Sequence, residues 1–248
     1  MIKSKIILPE PVQSDRDYEV SGEPFQALQH WQPRRGEIIT VQDTDRQYFR
    51  ARIKELSPER AIIHAFERRE LSPGAELELM LHQALPEKER MEWIIQKTTE
   101  LGVHGIIPFQ SQRAISLEER ERKQKKAARW PFIALRAAKQ CRRPAIPYIF
   151  PFCTFRESLQ LAQQSQIRIL LWEKQKAGRD LHNFLNQNRG ARRISLMVGP
   201  EGGFTEQEVS LAGQAGFTPL PLGPRILRTE TASLVILSIL QFTLGDLR

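Results

Sequence analysis

The run Val198-Gly199-Pro200-Glu201-Gly202-Gly203-Phe204 constrains the fold of this chain more than any other stretch, because it carries an apolar strand straight into a marked helix start. Ile194–Val198 is a compact apolar run of the kind that lies buried in a parallel sheet. Thr205 and Glu208 have the spacing of a capping box, and Phe204 and Val209 that of a hydrophobic staple. Glycine here serves either the positive φ of a tight turn or the close approach of backbone to a ligand, and spacing alone leaves both open. Pro200 and Glu201 break the G-x-G-x-x-G fingerprint and no P-loop lysine follows, which disfavours a nucleotide-triphosphate enzyme.

The rest of the chain divides in texture. Short β-like runs, Glu37–Val41, Tyr48–Ile53, Arg60–Phe66 and Ala75–Leu81, alternate with turn residues and predict a small β-barrel over residues 1–75. From about residue 86 helical patterns alternate with apolar strands, which predicts an α/β domain over 76–248 with a largely parallel sheet. Glu87–Leu101 places Met91, Ile94, Ile95, Thr98 and Leu101 on one helical face, with Gly102 as the stop. Val103–Phe109 and Ile167–Trp172 read as strands and Asp180–Gln187 as a helix. Leu117–Arg143 is helical in pattern, and Pro131 splits it into two helices in series.

A second irregular loop, Leu220 to Ala232, precedes Ser233–Phe242, an apolar run expected to be a helix buried nearly all round. Loops beyond the carboxyl ends of parallel strands form the default ligand crevice of an open α/β sheet, and Arg225, Arg228 and Glu230 bring charge to this one.

Composition narrows the partners. Of 248 residues 40% are hydrophobic and 27% charged, a globular balance. No apolar run reaches the length of a membrane span, and Met1–Ile6 opens no secretory h-region, so the expected compartment is the cytoplasm and no membrane partner is expected. Cys141 and Cys153 lack metal spacing, so neither a disulfide scaffold nor a metal site is expected. A net charge of +8 makes nucleic acid the leading macromolecular partner, because surplus Lys and Arg displace counterions from a phosphate backbone. Arg129, Arg136, Gln140 and Arg143 fall on one narrow helical stripe, either a solvated face or a grip on phosphates, while Arg120–Lys126 reads as an exposed basic face. Lys97 and Glu100 have the spacing of a simple ion pair.

The pair GPEGGFT and LGPRILRTETA resembles the ribosomal RNA small subunit methyltransferase E family, a branch of the SPOUT superfamily. Lys97-Thr98-Thr99-Glu100-Leu101-Gly102-Val103, Ile107-Pro108, Arg113, Arg129-Trp130 and Gln140 extend the likeness over roughly residues 86–244. In the first part it is looser, with Gln32 standing where members often have arginine; around Gln140, Lys139 and Cys141 replace an acidic residue and a small hydroxyl.

The resemblance implies an N-terminal PUA-like β-barrel, a C-terminal trefoil-knotted α/β domain, a homodimer whose partner subunit completes the site, and S-adenosylmethionine as cofactor. The reaction it implies is methylation of N3 of one uridine in small-subunit rRNA, free or in an assembled subunit. Its cofactor set is Gly199, Pro200, Glu201, Gly202, Gly203, Leu222, Gly223, Ile226, Leu227, Thr231 and Ala232. Lys97, Arg113, Arg129, Arg136, Gln140 and Arg143 are the RNA-binding set. Uridine N3 must lose a proton to become a nucleophile, so Arg228 is assigned to favour the anion and Glu230 to accept the proton. The structural alternatives are a loop brace for Arg228 and a carboxylate opposing the helix dipole for Glu230. The alternative functions are a non-catalytic RNA-binding or ribosome-assembly factor, and a related RNA methyltransferase with another target atom.

Overall fold

The computed structural model describes residues 4–69, 77–86, 90–114, 127–174 and 180–247. They form two compact units, Met1–Gly74 with Leu135–Ile146, and Ala75–Ala134 with Pro147–Arg248. The sequence texture placed 135–146 with the α/β part; in the structure Leu135 and Ala138 belong to the first unit's apolar core.

That first unit contains β1 (Arg16–Ser21), α1 (Gly22–Gln29), β2 (Ile38–Gln42), β3 (Tyr48–Leu56) and β4 (Arg60–Arg69). The strands make an antiparallel sheet in the order β1-β4-β3-β2. Alternation places Val20, Val41, Ala51, Ile53, Ile63 and Ala65 inside with Leu28 of α1. Closure into a barrel would require the edge strands β1 and β2 to pair, and among the described residues no ladder joins them. Sequence patterning also missed β1 and α1, whose apolar residues are few.

The second unit is a parallel sheet with helices. In chain order come β5 (Glu78–Ala84), α2 (Arg90–Glu100), β6 (Gly105–Gln110), α3 (Trp130–Gln140, crossing into the first unit), β7 (Tyr148–Ile149), β8 (Cys153–Thr154), α4 (Phe155–Leu161) and β9 (Ile167–Leu171). Then follow α5 (Leu181–Gln187), β10 (Arg193–Val198), α6 (Glu206–Gln214), β11 (Thr218–Leu220) and α7 (Thr229–Leu244). The sheet order is β11-β9-β10-β5-β6-β7, with β8 also on β6, and every pairing is parallel. The described part of the run read as Ala75–Leu81 leads into strand β5 of this sheet and is not a strand of the first unit. β10 lies between β9 and β5, so the strand that leads into the glycine turn is central and its residues Ile194–Val198 are all buried.

Local signals hold where both partners are near in sequence. Thr205 and Glu208 form the capping box at α6. Gly102 ends α2 at φ +86, which a side chain would oppose. Pro131 falls in the first turn of α3, where its missing N–H costs nothing; of the helix expected before it, Ala127–Arg129 form a 3-10 turn and the part up to 126 lies outside the described residues. α7 differs from its expectation: Ala232, Ser233, Ile236, Leu237, Leu240, Gln241 and Leu244 form one buried stripe, whereas Phe242 on the other side is 69% exposed. Among the described residues no helix is long and apolar enough to cross a membrane.

Candidate active site

Three strand ends of the second unit open onto one cavity of about 240 Å³. Leu171, Trp172 and Glu173 enter from the end of β9, and Val198, Gly199, Pro200, Glu201, Gly203 and Phe204 from β10. Leu222, Gly223, Arg225, Ile226, Leu227, Arg228, Thr229 and Ala232 enter from the loop after β11 and the first turn of α7. This is the carboxyl-end crevice anticipated from the two loops. The sequence pointed to the second and third segments. The first follows an apolar strand in the same way, and that was its signal.

Glycine is required at the turn for two reasons. Gly203 has φ +67, and a Cβ there would lie 3.3 Å from Glu173 Oε1. At Gly199 a Cβ would meet the Phe204 ring at 3.1 Å. Phe204 is buried, parallel to Phe109 with ring centroids 6.4 Å apart, so it cannot retreat cheaply. Glu208, 1% exposed, accepts at Oε1 from Ser111 Oγ (2.8 Å) and the Gln112 amide (2.9 Å), and at Oε2 from the Thr205 amide (2.9 Å). The capping carboxylate thus also fastens the segment after β6 to the turn.

Several expected site residues are placed elsewhere. Gly202 does not line the cavity: its carbonyl accepts from Arg113 Nη1 at 2.9 Å, so Arg113 braces the turn. Thr231 is exposed on the first turn of α7 and also does not line it. Arg228 lines the cavity, exposed, at the N-cap of α7. Glu230 lies outside the lining, with Oε1 3.9 Å from Arg90 Nε and with Oε2 buried and without a hydrogen-bond partner among the described residues. Arg90 also holds Glu201 at 2.5 Å, so one cation ties the glycine turn to the start of α7. No pattern marked Arg90. Lys97 is paired with Glu100 at 3.0 Å. Arg129, Arg136 and Gln140 are exposed and Arg143 is half-buried.

Two buried polar groups complete the site. Gln83, next to last in β5, bonds Thr229, and Thr229 bonds the Gly199 carbonyl. Trp172 lines the cavity with its indole N–H buried and without a partner among the described residues. A buried donor of this kind is costly unless an acceptor reaches it, which a bound ligand can supply. The cavity therefore offers apolar walls, two carboxylates (Glu173, Glu201), two guanidinium groups (Arg225, Arg228) and an unsatisfied donor. Among the described residues no cluster of three His, Cys, Asp or Glu could hold a metal ion.

Residues 73–241 match the RNA methyltransferase domain family. The chain is 37% identical over 176 residues to the ribosomal RNA small subunit methyltransferase E of Bacillus subtilis (strain 168), a match covering 69% of this chain and 68% of that one. It is 31% identical over 229 residues to the protein of the same name from Aquifex aeolicus (strain VF5), covering 84% and 95%. Its structure is similar to that of a ribosomal RNA small subunit methyltransferase E from Neisseria gonorrhoeae bound to S-adenosyl methionine, with TM-score 0.68, 31% identity and 98% of both chains covered. A putative methyltransferase from Legionella pneumophila in complex with bound SAM gives TM-score 0.66 at 30% identity over 96% of both chains.

Proposed function

Because this chain belongs to the ribosomal RNA small subunit methyltransferase E family, we propose that it methylates N3 of one uridine in small-subunit ribosomal RNA. It is an RNA methyltransferase and its cofactor is S-adenosylmethionine. The observation that carries the reading is the convergence of three strand ends, two glycine-bearing loops and Arg228 on one cavity.

The residues present fit that cofactor. Leu171, Val198, Leu222, Ile226 and Leu227 offer apolar contact to a purine, and Glu173 and Glu201 favour a cationic ligand. Bound there, S-adenosylmethionine supplies a methyl group activated by a positively charged sulfur. The remaining work belongs to the protein. Arg228 stabilises negative charge on the uracil ring as N3 gives up its proton, and Glu230, two residues further along at the start of α7, is the carboxylate assigned to accept that proton. Gly202 and Thr231 act on the cofactor loops from outside the lining, Gly202 through Arg113.

The cavity, at about 240 Å³, falls below the roughly 300–1,000 Å³ of small-molecule pockets. A homodimer in which the partner subunit completes the site accounts for the shortfall. The first unit is read as a PUA-like RNA-binding module and the second as a SPOUT domain with a trefoil knot, acting in the cytoplasm on free rRNA or an assembled subunit. Lys97, Arg113, Arg129, Arg136, Gln140 and Arg143 are the proposed RNA contacts, with Arg113 serving the turn as well.

The test pairs calorimetric titration with S-adenosylmethionine and nucleoside analysis of small-subunit rRNA after incubation. Wild type binds the cofactor and yields N3-methyluridine. Arg228→Ala, a change at an exposed side chain, keeps binding and loses the product. A methyl group on ribose or guanine would redirect the target atom, and cofactor binding without RNA methylation would leave an RNA-binding factor that has kept the fold.

A further inference from the structure

The first unit holds a small notch that the methyl-transfer site does not use. Thr40 of β2, Arg50 of β3, and Lys139, Arg142 and Arg143 at the end of α3 are among the residues that line it, with one acid, Glu37. Its volume of about 20 Å³ admits a group the size of one water or one phosphate oxygen, and no base. Lys139 is matched by Glu37 at 2.7 Å and Arg50 by Glu67 at 3.1 Å. Arg142 is exposed and makes no ion pair among the described residues. Arg50 Nε is buried with no hydrogen-bond partner among the described residues, although its side chain is only 16% exposed.

The backbone adds an independent sign. α3 ends in a Schellman turn, in which the Arg143 amide bonds the Ala138 carbonyl (3.0 Å) and the Arg142 amide the Lys139 carbonyl (3.2 Å). Arg142 takes the left-handed position of that turn at φ +60, where glycine is the favoured residue. Thr40 Oγ1 pins its carbonyl at 3.2 Å. A second left-handed non-glycine, Gln32 at φ +46, has its carbonyl held by Lys139 Nζ at 3.3 Å. Of the four left-handed non-glycine residues among the described ones, Asp15, Gln32, Arg46 and Arg142, two have their carbonyls held by notch-lining side chains, and strain kept beside a polar notch is a mark of ligand sites. Were Arg142 only a helix terminator, glycine would do better.

We propose that this notch is a phosphate site in which Arg142, with Arg143 and Arg50, grips one backbone phosphate of the RNA strand. It rests on the RNA-methyltransferase reading and adds Arg142 and Arg50 to the RNA contacts proposed for the first unit. A guanidinium suits the task because its fork of donors matches two phosphate oxygens at once.

Arg142→Gly separates the two roles of the residue, since it relieves the backbone and removes the charge together. Affinity is read by fluorescence anisotropy of a labelled uridine-rich single-stranded RNA across a salt series, and stability by thermal unfolding. The site predicts a variant that melts higher yet binds RNA about five- to tenfold more weakly, with the slope of log affinity against log salt reduced by about 0.7, the share of one phosphate on a single strand. Arg142→Gln keeps the strained backbone and must weaken RNA similarly. Unchanged affinity and slope in both variants overturn the proposal, as does a notch that only inorganic phosphate occupies, seen as a rise in the wild-type melting temperature that Arg142→Gly abolishes while RNA affinity stays put. S-adenosylmethionine titration of the same variants, expected to match wild type, keeps a failure here distinct from a failure of the methyl-transfer reading.

Discussion

Gln83 Nε2 donates a 2.9 Å hydrogen bond to Thr229 Oγ1 across 146 residues of sequence. The Thr229 hydroxyl spends its one proton on the Gly199 carbonyl at 2.6 Å, and Gln83 Oε1 accepts from Ser233 Oγ at 2.6 Å. The second Gln83 amide proton goes to the Ala84 carbonyl at 2.9 Å. Gln83, Thr229 and Ser233 are all buried, so these bonds form in a low dielectric where each is stronger and a missing one costs more. The end of β5, the glycine turn and the first turn of α7 are thereby one mechanical piece, and Arg228 is the residue next to the joint.

Thr229→Val keeps the volume of the side chain but leaves the Gly199 carbonyl and one Gln83 N–H without partners. Each buried unsatisfied group costs about 1–3 kcal/mol, so urea unfolding of this variant should show a loss of at least that size. Thr229→Ser retains the hydroxyl and should recover most of it. Cofactor affinity should fall in the valine variant alone, because the turn that carries Gly199 is no longer fixed. Wild-type stability in Thr229→Val would mean that the bonded chain holds nothing together.

Gly203 and Gly213 should respond to alanine with opposite signs. At Gly203 the left-handed φ of +67 costs an L-residue about 1–2 kcal/mol, and the new Cβ would press on the Glu173 carboxylate beside the cavity. Gly213 lies inside α6 with nothing within 4 Å of an added Cβ, so alanine there should stabilise by about 0.5–1 kcal/mol. Thermal unfolding reads both changes, and calorimetry should find weaker S-adenosylmethionine binding only for Gly203→Ala. A neutral Gly203→Ala would contradict the conformation assigned to the turn.

What could be read from the sequence was set by how far apart the partners lie. The capping box of Thr205 and Glu208, the stop at Gly102 and the strand β10 depend on residues within a few positions, and the pattern of residue types carries them. The second role of Glu208, accepting from Ser111 Oγ, depends on a residue 97 positions away, and no periodicity encodes it. Arg90 is invisible for the same reason: an arginine opening an amphipathic helix is ordinary until Glu201 and Glu230 are seen beside it. Phe242 was assigned inside because α7 is apolar on more than one side, and which side meets the rest of the unit is decided by the sheet. The two loop motifs located the cavity, but not that Gly202 and Glu230 stand outside its lining.

His82 sets the acid limit of the second unit. The ring is fully buried on β5, with Nδ1 2.8 Å from Ser158 Oγ and Nε2 3.0 Å from Ser195 Oγ. Neutral imidazole satisfies both hydroxyls, donating from one nitrogen and accepting at the other. Burial holds its pKa down to about 3, against 6.5 for the free side chain. As pH falls below 6.5 the unfolded chain takes up a proton that the folded chain refuses, so stability present at neutral pH is lost progressively toward pH 3. At pH 5 the loss is about 2 kcal/mol, from 1.36 kcal/mol per unit over about 1.5 units. Asp17, Glu67 and Glu157 have pKa values lowered by hydrogen bonds, first from Lys54, Arg69 and the Thr154 amide respectively, so they give up stability only as pH falls below the ordinary carboxylate values of 3.8 and 4.5. Between pH 7.5 and 5, urea unfolding of wild type should therefore lose about 2 kcal/mol more than His82→Gln, which has no proton to gain. Equal losses in the two proteins would move the acid sensitivity away from this histidine.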